Sequence, residues 1–91
     1  MITITIEVTE HLIQSGMRSH CQECPVALAC QRAGMKQAYV RSLVTWKDGA
    51  GLIRRVLLPE HVKNWILRFD VGNKMGPMSF ELEVPEESLT S

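Results

Sequence analysis

The chain begins with a strict alternation of apolar and polar side chains, and this pattern constrains what the rest of the sequence must supply. The apolar positions of this segment are Ile2, Ile4, Ile6 and Val8. Period-two alternation is typical of a β-strand that buries one face and exposes the other. The remaining residues must therefore form a core for this face, and a chain of 91 residues can build one such core but not two.

Three helices are predicted from capping residues and helical periodicity. The first is a short helix over residues 10–15, with Thr9 as its N-cap. The second is expected to begin at Pro25, because proline is favoured at the first helical position. The third is predicted over residues 60–71, where apolar residues recur at helical spacing before a glycine.

Three further strands are predicted downstream. Residues 37–46 and 52–58 are rich in β-branched, aromatic and aliphatic side chains, and the turn sequence at residues 48–51 between them predicts a hairpin. Residues 80–84 alternate between apolar and glutamate side chains, which predicts a last strand with an acidic outer face.

The order of these elements predicts an α+β fold of the ferredoxin-like βαββαβ type. In that arrangement two main helices cover one face of a four-stranded antiparallel sheet, here with a short extra helix after the first strand. We expect a single domain over residues 1–84 and a frayed tail over residues 85–91. Since this fold supports many unrelated functions, the function has to be inferred from particular residues.

Composition and charge exclude several classes of protein. Hydrophobic residues make up 45% of the chain and charged residues 22%, which argues against a disordered or collagen-like chain. The ten basic and ten acidic side chains balance, so the chain lacks the overall positive field of a general nucleic-acid binder. The sequence shows neither a signal-peptide pattern nor a long apolar run, so we expect a cytoplasmic protein without a membrane partner.

Two of the three cysteines lie three residues apart, in a Cys-x-x-Cys segment just before the predicted second helix. The N–H groups at a helix start stabilise thiolates, so we expect a lowered pKa for these thiols. The simpler expectation is that they are structural and that the chain holds no cofactor. The alternative is one Cu(I) or zinc ion bound by candidate ligands Cys21, Cys24, His20 and Met17. Cys30 is expected to pack in the core.

Gly16-Met17 followed by Cys21-x-x-Cys24 before the first long helix resembles the heavy-metal-binding domains of copper chaperones. That resemblance implies a ferredoxin-like fold in which Cys21 and Cys24 hold Cu(I). The spacing differs from that family, in which the methionine lies two residues before the first cysteine.

A second resemblance rests on three segments. The run Cys21-x-x-Cys24-Pro25-Val26-Ala27-Leu28-Ala29, the helix from Trp65 to Asp70 and the strand Phe80-Glu81-Leu82 are similar to small proteins encoded by phages and prophages. This resemblance implies an accessory role directed at the host and supplies no particular activity.

Basic residues outnumber acidic ones between residues 32 and 55, whereas acidic residues predominate after residue 79. The candidate partner-binding residues combine this basic segment with apolar side chains that lie off the predicted core: Tyr39, Arg41, Leu43, Lys47, Arg54, Arg55, Leu67, Met75 and Met78. We expect the partner to be a protein. A second alternative is nucleic-acid binding by the basic hairpin, which is disfavoured because the predicted strands offer few aromatic residues for stacking on bases.

No arrangement of residues typical of a catalytic site occurs in the sequence, such as a nucleophile elbow, a zinc-protease motif or a glycine-rich phosphate loop. We therefore predict no enzymatic activity. The hypothesis is a small, non-catalytic binding or regulatory protein, and pairing of exposed strand edges leaves a homodimer open.

Overall fold

A computed structural model describes residues 1–18 and 20–88, which form an α+β fold with two antiparallel sheets. The elements in chain order are β1 (Ile2–Val8), α1 (Glu10–Ser15), α2 (Pro25–Arg32), β2 (Lys36–Val40), β3 (Leu43–Lys47), β4 (Ile53–Leu57), α3 (Glu60–Asp70) and β5 (Met78–Val84). A 3-10 helix follows at Glu86–Ser88, and residues 89–91 of the predicted tail lie outside the described ranges. None of the helices in these ranges is long and apolar enough to cross a membrane.

The predicted helices are confirmed, together with the capping residues that define them. The hydroxyl oxygen of Thr9 accepts the backbone N–H of Leu12 at 3.3 Å, as expected for the N-cap of α1. Pro25 is the first residue of α2. In α3 the buried side chains are Val62, Trp65 and Phe69, which lie on the apolar stripe that the helical periodicity predicts.

The two terminal strands pair with each other, and their alternation is confirmed. β1 and β5 form an antiparallel two-stranded sheet in which Ile6 lies opposite Phe80. Alternate side chains of both strands are buried, and the others face outward. On the outward side Glu81 and Glu83 lie opposite Thr5 and Thr3, so this acidic face avoids placing like charges directly across the sheet.

The middle of the chain differs from the prediction. The segment 37–46, expected as one strand, is two strands, because the chain reverses at residues 41–42 and the N–H of Arg41 donates to the carbonyl of Leu43 at 2.9 Å. The reversal places Val40 opposite Val44, and both are buried. β2, β3 and β4 thus form a separate three-stranded sheet. The predicted ferredoxin-like, four-stranded sheet is not confirmed, since five strands lie in two sheets.

The end of α3 is tied to the segment that leads toward the cysteines. The rings of Trp65 and Phe69 stack with their centroids 5.5 Å apart. Arg18 places its guanidinium 4.9 Å from the Phe69 ring centroid, and its Nε donates to the Phe69 carbonyl at 3.0 Å. The Arg18 cation stabilises the fold in two ways. It complements the negative end of the helix dipole, and it interacts favourably with the face of the aromatic ring.

The hairpin between β3 and β4 is organised by one buried carboxylate. Asp48 is only 4% exposed, and its Oδ1 accepts the N–H groups of Ala50 and Leu52, both at 2.9 Å. Its Oδ2 accepts the Nε–H of Arg54 at 2.9 Å. The Arg54 guanidinium is the main cause that lowers the pKa of Asp48, and the backbone hydrogen bonds add to it.

We expect removal of the Asp48 acceptors to loosen this hairpin. Asp48→Ala should lower the melting temperature by several degrees at neutral pH, and Asp48→Asn by less, because the amide keeps an acceptor oxygen for the backbone N–H groups. Circular dichroism melting curves measure both changes.

The same residue predicts a pH dependence. Because the folded pKa of Asp48 lies below the ordinary value of 3.8, its charged form stabilises the fold above that value, and this contribution is lost as the pH falls through the folded pKa. The stability advantage of the natural protein over Asp48→Asn should therefore shrink below about pH 4. A constant difference between the two proteins down to the acid limit of folding would contradict the assignment.

Candidate functional site

Cys21 and Cys24 lie in a tight turn that leads into α2. The carbonyl oxygen of His20 accepts the N–H of Cys24 at 2.8 Å, which closes the turn. Cys24 is the N-cap of α2, and its Sγ accepts the N–H of Ala27 at 3.4 Å. The carbonyl of Cys21 accepts the N–H of Val40 at 2.9 Å. The turn is thereby fixed to α2 on one side and to the end of β2 on the other.

Gly16 holds the chain that precedes the cysteine turn against the start of α2. A Cβ built on Gly16 would lie 2.6 Å from the Cδ and Cγ atoms of Pro25, which is closer than any side chain tolerates. One residue on, the N–H of Met17 donates to the carbonyl of Glu23 at 2.9 Å. The chain on either side of the turn is therefore held in direct contact with the start of α2.

Burial separates the three thiols. Cys24 is 3% exposed and Cys30 is fully buried, whereas Cys21 is partly exposed. The burial of Cys30 confirms that this thiol belongs to the core, and it raises the pKa of Cys30 to about 12. Burial also raises the pKa of Cys24, although backbone hydrogen bonds from Ala27 and Val26 act in the opposite direction. The predicted lowering of the thiol pKa is wrong for Cys24, because desolvation outweighs the helix N-terminus.

Cys21 lies in a cleft between α3 and the turn that joins β2 to β3. This cleft has a volume of about 300 Å³, and Cys21, Val40 and Ile66 contribute to its apolar walls. An adjoining recess of about 230 Å³ is lined by both Cys21 and Cys24. We call the two spaces together the Cys21 cleft. Leu67, which is 64% exposed, lies at its rim.

Arg41 connects the Cys21 cleft to the neighbouring sheet. Its guanidinium lies 5.6 Å from the centroid of the Tyr39 ring, and Arg41 lines the same cleft as Cys21. The interaction with Cys21 is the main cause that raises the pKa of Arg41, followed by the charge interaction with Tyr39. A positive charge is thus held beside the most accessible of the three thiols.

The predicted metal ligands are only partly brought together. Cys21, Cys24 and His20 line the same recess, and Met17 does not. Across residues 1–18 and 20–88, no group of three or more His, Cys, Asp or Glu side chains is arranged to hold a metal ion. Two thiolates would suffice for Cu(I), but one of them would have to form from the buried Cys24.

A second candidate site is the outward side of the three-stranded sheet. Cross-strand partners share a face of a sheet, so the register places three rows of side chains together: Leu43 with Leu57, Tyr39 with Thr45 and Arg55, and Lys36 with Lys47 and Ile53. We call these residues the basic sheet face. None of its members is acidic.

The basic sheet face is both apolar and positively charged. Leu57 is 72% exposed, Ile53 is 52% exposed and Tyr39 is 38% exposed. Lys36 lies directly opposite Lys47, an arrangement of like charges that is unfavourable in the isolated sheet. Lys36, Lys47 and Arg55 form no ion pair with any residue that the structure describes. An acidic partner would relieve this repulsion and cover the exposed apolar side chains.

The structure places the nine candidate partner-binding residues in several locations. The four on the basic sheet face are Tyr39, Leu43, Lys47 and Arg55. Arg41 lies beside them, and Leu67 lies at the rim of the Cys21 cleft.

The other three predicted residues are engaged elsewhere. Arg54 is on the opposite side of β4 and is paired with Asp48, while Met75 and Met78 pack partly buried against the core.

Sequence reasoning missed four members of the basic sheet face, Lys36, Thr45, Ile53 and Leu57. The signal that could have found them is the period-two pattern of β4, in which Ile53, Arg55 and Leu57 point the same way. It becomes informative only when the register with β3 is known.

No protein-family model matches the chain, and no curated protein and no solved structure matches it. The two candidate sites are therefore interpreted from their geometry and chemistry.

We expect Gly16→Ala to destabilise the fold by about 1–3 kcal/mol, because the added methyl group overlaps the Pro25 ring. The matched control is Gly49→Ala, since a Cβ at Gly49 meets no atom within 4 Å. Urea unfolding measures both variants. Equal stability of the two variants would contradict the close packing of Gly16 on the start of α2.

We also expect the native protein to bind neither copper nor zinc at stoichiometric level, because Cys24 resists ionisation and no third ligand joins the pair in the described part of the chain. Native mass spectrometry of anaerobically purified protein tests this. A copper or zinc adduct that disappears in the Cys21→Ser/Cys24→Ser variant would establish the metal alternative instead.

Proposed function

We propose that this chain is a small, non-catalytic binding protein that docks a protein partner on the basic sheet face. The observation that carries the proposal is the register of β2, β3 and β4, which gathers exposed aliphatic side chains and cations on one surface without an acidic residue. Within residues 1–18 and 20–88, these cations form no ion pair. The partner surface that fits is acidic with an apolar centre.

The side chains on the basic sheet face favour a protein over a nucleic acid. Its apolar members are mainly aliphatic, Leu43, Leu57 and Ile53, and such residues pack in the centres of protein interfaces. Tyr39 is its one aromatic member, and the Arg41 guanidinium already lies over that ring. Single-stranded nucleic acids bind sheets through several aromatic side chains that stack on successive bases.

The size of the face indicates a weak and reversible contact. Three strands of five residues cover about 14 Å by 17 Å, or about 240 Å² in projection. A stable protein interface takes about 800 Å² from each partner. Docking therefore extends beyond the sheet or gives a dissociation constant on the order of micromolar, as regulatory contacts often do.

The source of the partner is suggested by the sequence resemblance to phage and prophage proteins. An accessory protein of that kind acts on components of the host cytoplasm. We therefore expect the partner to be a cytoplasmic protein of the host, and the acidic surface is the property by which to recognise it.

The test is affinity capture from nuclease-treated host lysate, followed by binding measurements with the purified partner. Lys47→Glu/Arg55→Glu and Leu57→Ser should each weaken binding about tenfold or more, because each removes a central contact. The matched control is Glu81→Gln/Glu83→Gln on the acidic face of the other sheet, which should bind as the natural protein does. Melting curves verify that all variants fold.

Two results would overturn the proposal. One is a captured protein whose affinity does not change in the Lys47→Glu/Arg55→Glu and Leu57→Ser variants. The other is capture that disappears with nuclease treatment and reappears with added oligonucleotide, with an affinity that falls steeply as salt rises, which would assign the face to nucleic acid.

A further inference from the structure

The Cys21 cleft brings together two thiols that differ in access. Cys21 is partly exposed and Cys24 is buried, and both line the same recess. They lie three residues apart in a turn that is closed by hydrogen bonds from the N–H groups of Glu23 and Cys24 to the carbonyl of His20. A disulfide bridges Cα atoms separated by about 4.4–6.8 Å. Residues three apart in a tight turn can reach this separation, and both cysteines line one recess.

The surroundings give the two thiols different chemical roles. Cys21 is partly exposed and shares its cleft with Arg41, so an incoming disulfide meets an accessible thiol beside a cation. Cys24 accepts the N–H of Ala27 and is shielded from solvent. An external disulfide therefore reaches Cys21 first, and Cys24 is the neighbouring thiol that can resolve the product. Its raised pKa makes this second step the slower one.

We propose that Cys21 and Cys24 form a thiol–disulfide exchange site whose substrate is a low-molecular-mass disulfide such as oxidised glutathione. The Cys21 thiolate attacks one sulfur of that disulfide, its S–S bond breaks, and one glutathione leaves as a thiolate that takes up a proton. Cys24 then loses its proton and attacks Cys21 Sγ, which releases the second glutathione. Two protein thiols are oxidised to one disulfide, and one glutathione disulfide is reduced to two thiols.

This site adjoins the basic sheet face at Arg41 and Tyr39, but the exchange chemistry uses the two cysteines and does not depend on the proposed docking function. The recess that Cys21 and Cys24 line has a volume of about 230 Å³. This volume leaves room for part of a flexible, peptide-like disulfide to reach Cys21 from solvent. Cys30, which is fully buried, provides an internal reference because it belongs to the same chain and lacks access.

The experiment treats the folded protein with oxidised glutathione under anaerobic conditions, traps remaining thiols with an alkylating agent and measures intact mass and peptide maps. The natural protein should lose the mass of two hydrogen atoms and yield a Cys21–Cys24 cross-linked peptide, with Cys30 alkylated only after denaturation. Cys24→Ser should accumulate one glutathione on Cys21. Cys21→Ser should react at least about tenfold more slowly, and Cys30→Ala should behave as the natural protein does.

The role of Arg41 is tested by rate. Arg41→Gln should slow formation of the mixed disulfide about threefold, since the cation that attracts the carboxylates of glutathione to the cleft is lost. Arg55→Gln, a cation of the basic sheet face, is the matched control and should leave the rate unchanged. The proposal is overturned if all three thiols stay reduced in the folded natural protein, or if the glutathione adduct forms on Cys24 in preference to Cys21.

Discussion

The fold depends on the burial of α2, which packs against a strand of each sheet. Its contacts reach β1 of the two-stranded sheet and β2 of the three-stranded sheet. The buried residues of this eight-residue helix are Pro25, Val26, Ala27, Ala29 and Cys30. Most of these side chains are small, so the helix can approach both sheets closely without leaving voids. Apolar contact on more than one side makes α2 the element that joins the two sheets into one core.

The position of α2 also determines the chemistry of the thiols. Because its first residue is packed on Gly16, the preceding turn is confined between α2 and the end of β2. The N-cap thiol of Cys24 is therefore enclosed, while Cys21, three residues earlier, reaches the cleft beside α3. The difference between the two thiols follows from the packing of the helix and not from their spacing.

Periodicity and capping residues predict the helices and the terminal strands, since Thr9, Pro25 and the alternation of β1 express local preferences directly. The turn at residues 41–42 could not be predicted in this way, because Arg-Ser carries no glycine or proline signal and the flanking residues favour strand on both sides. Missing that turn concealed the register, and with it the positions of Lys36, Ile53 and Leu57. The raised pKa of Cys24 could not be predicted from the sequence either, because it depends on burial by residues distant in sequence.

The two sheets carry opposite charge on their outward sides, with glutamates on β5 and cations on the basic sheet face. Charges of opposite sign are therefore segregated between the two sheets, although the formal net charge of the molecule is zero. In the field of a charged surface such a molecule experiences a torque before contact, within the screening distance of about 8 Å at physiological salt. A neutral chain with this charge segregation can thus approach another protein without net repulsion, and an acidic surface would attract its cationic side first.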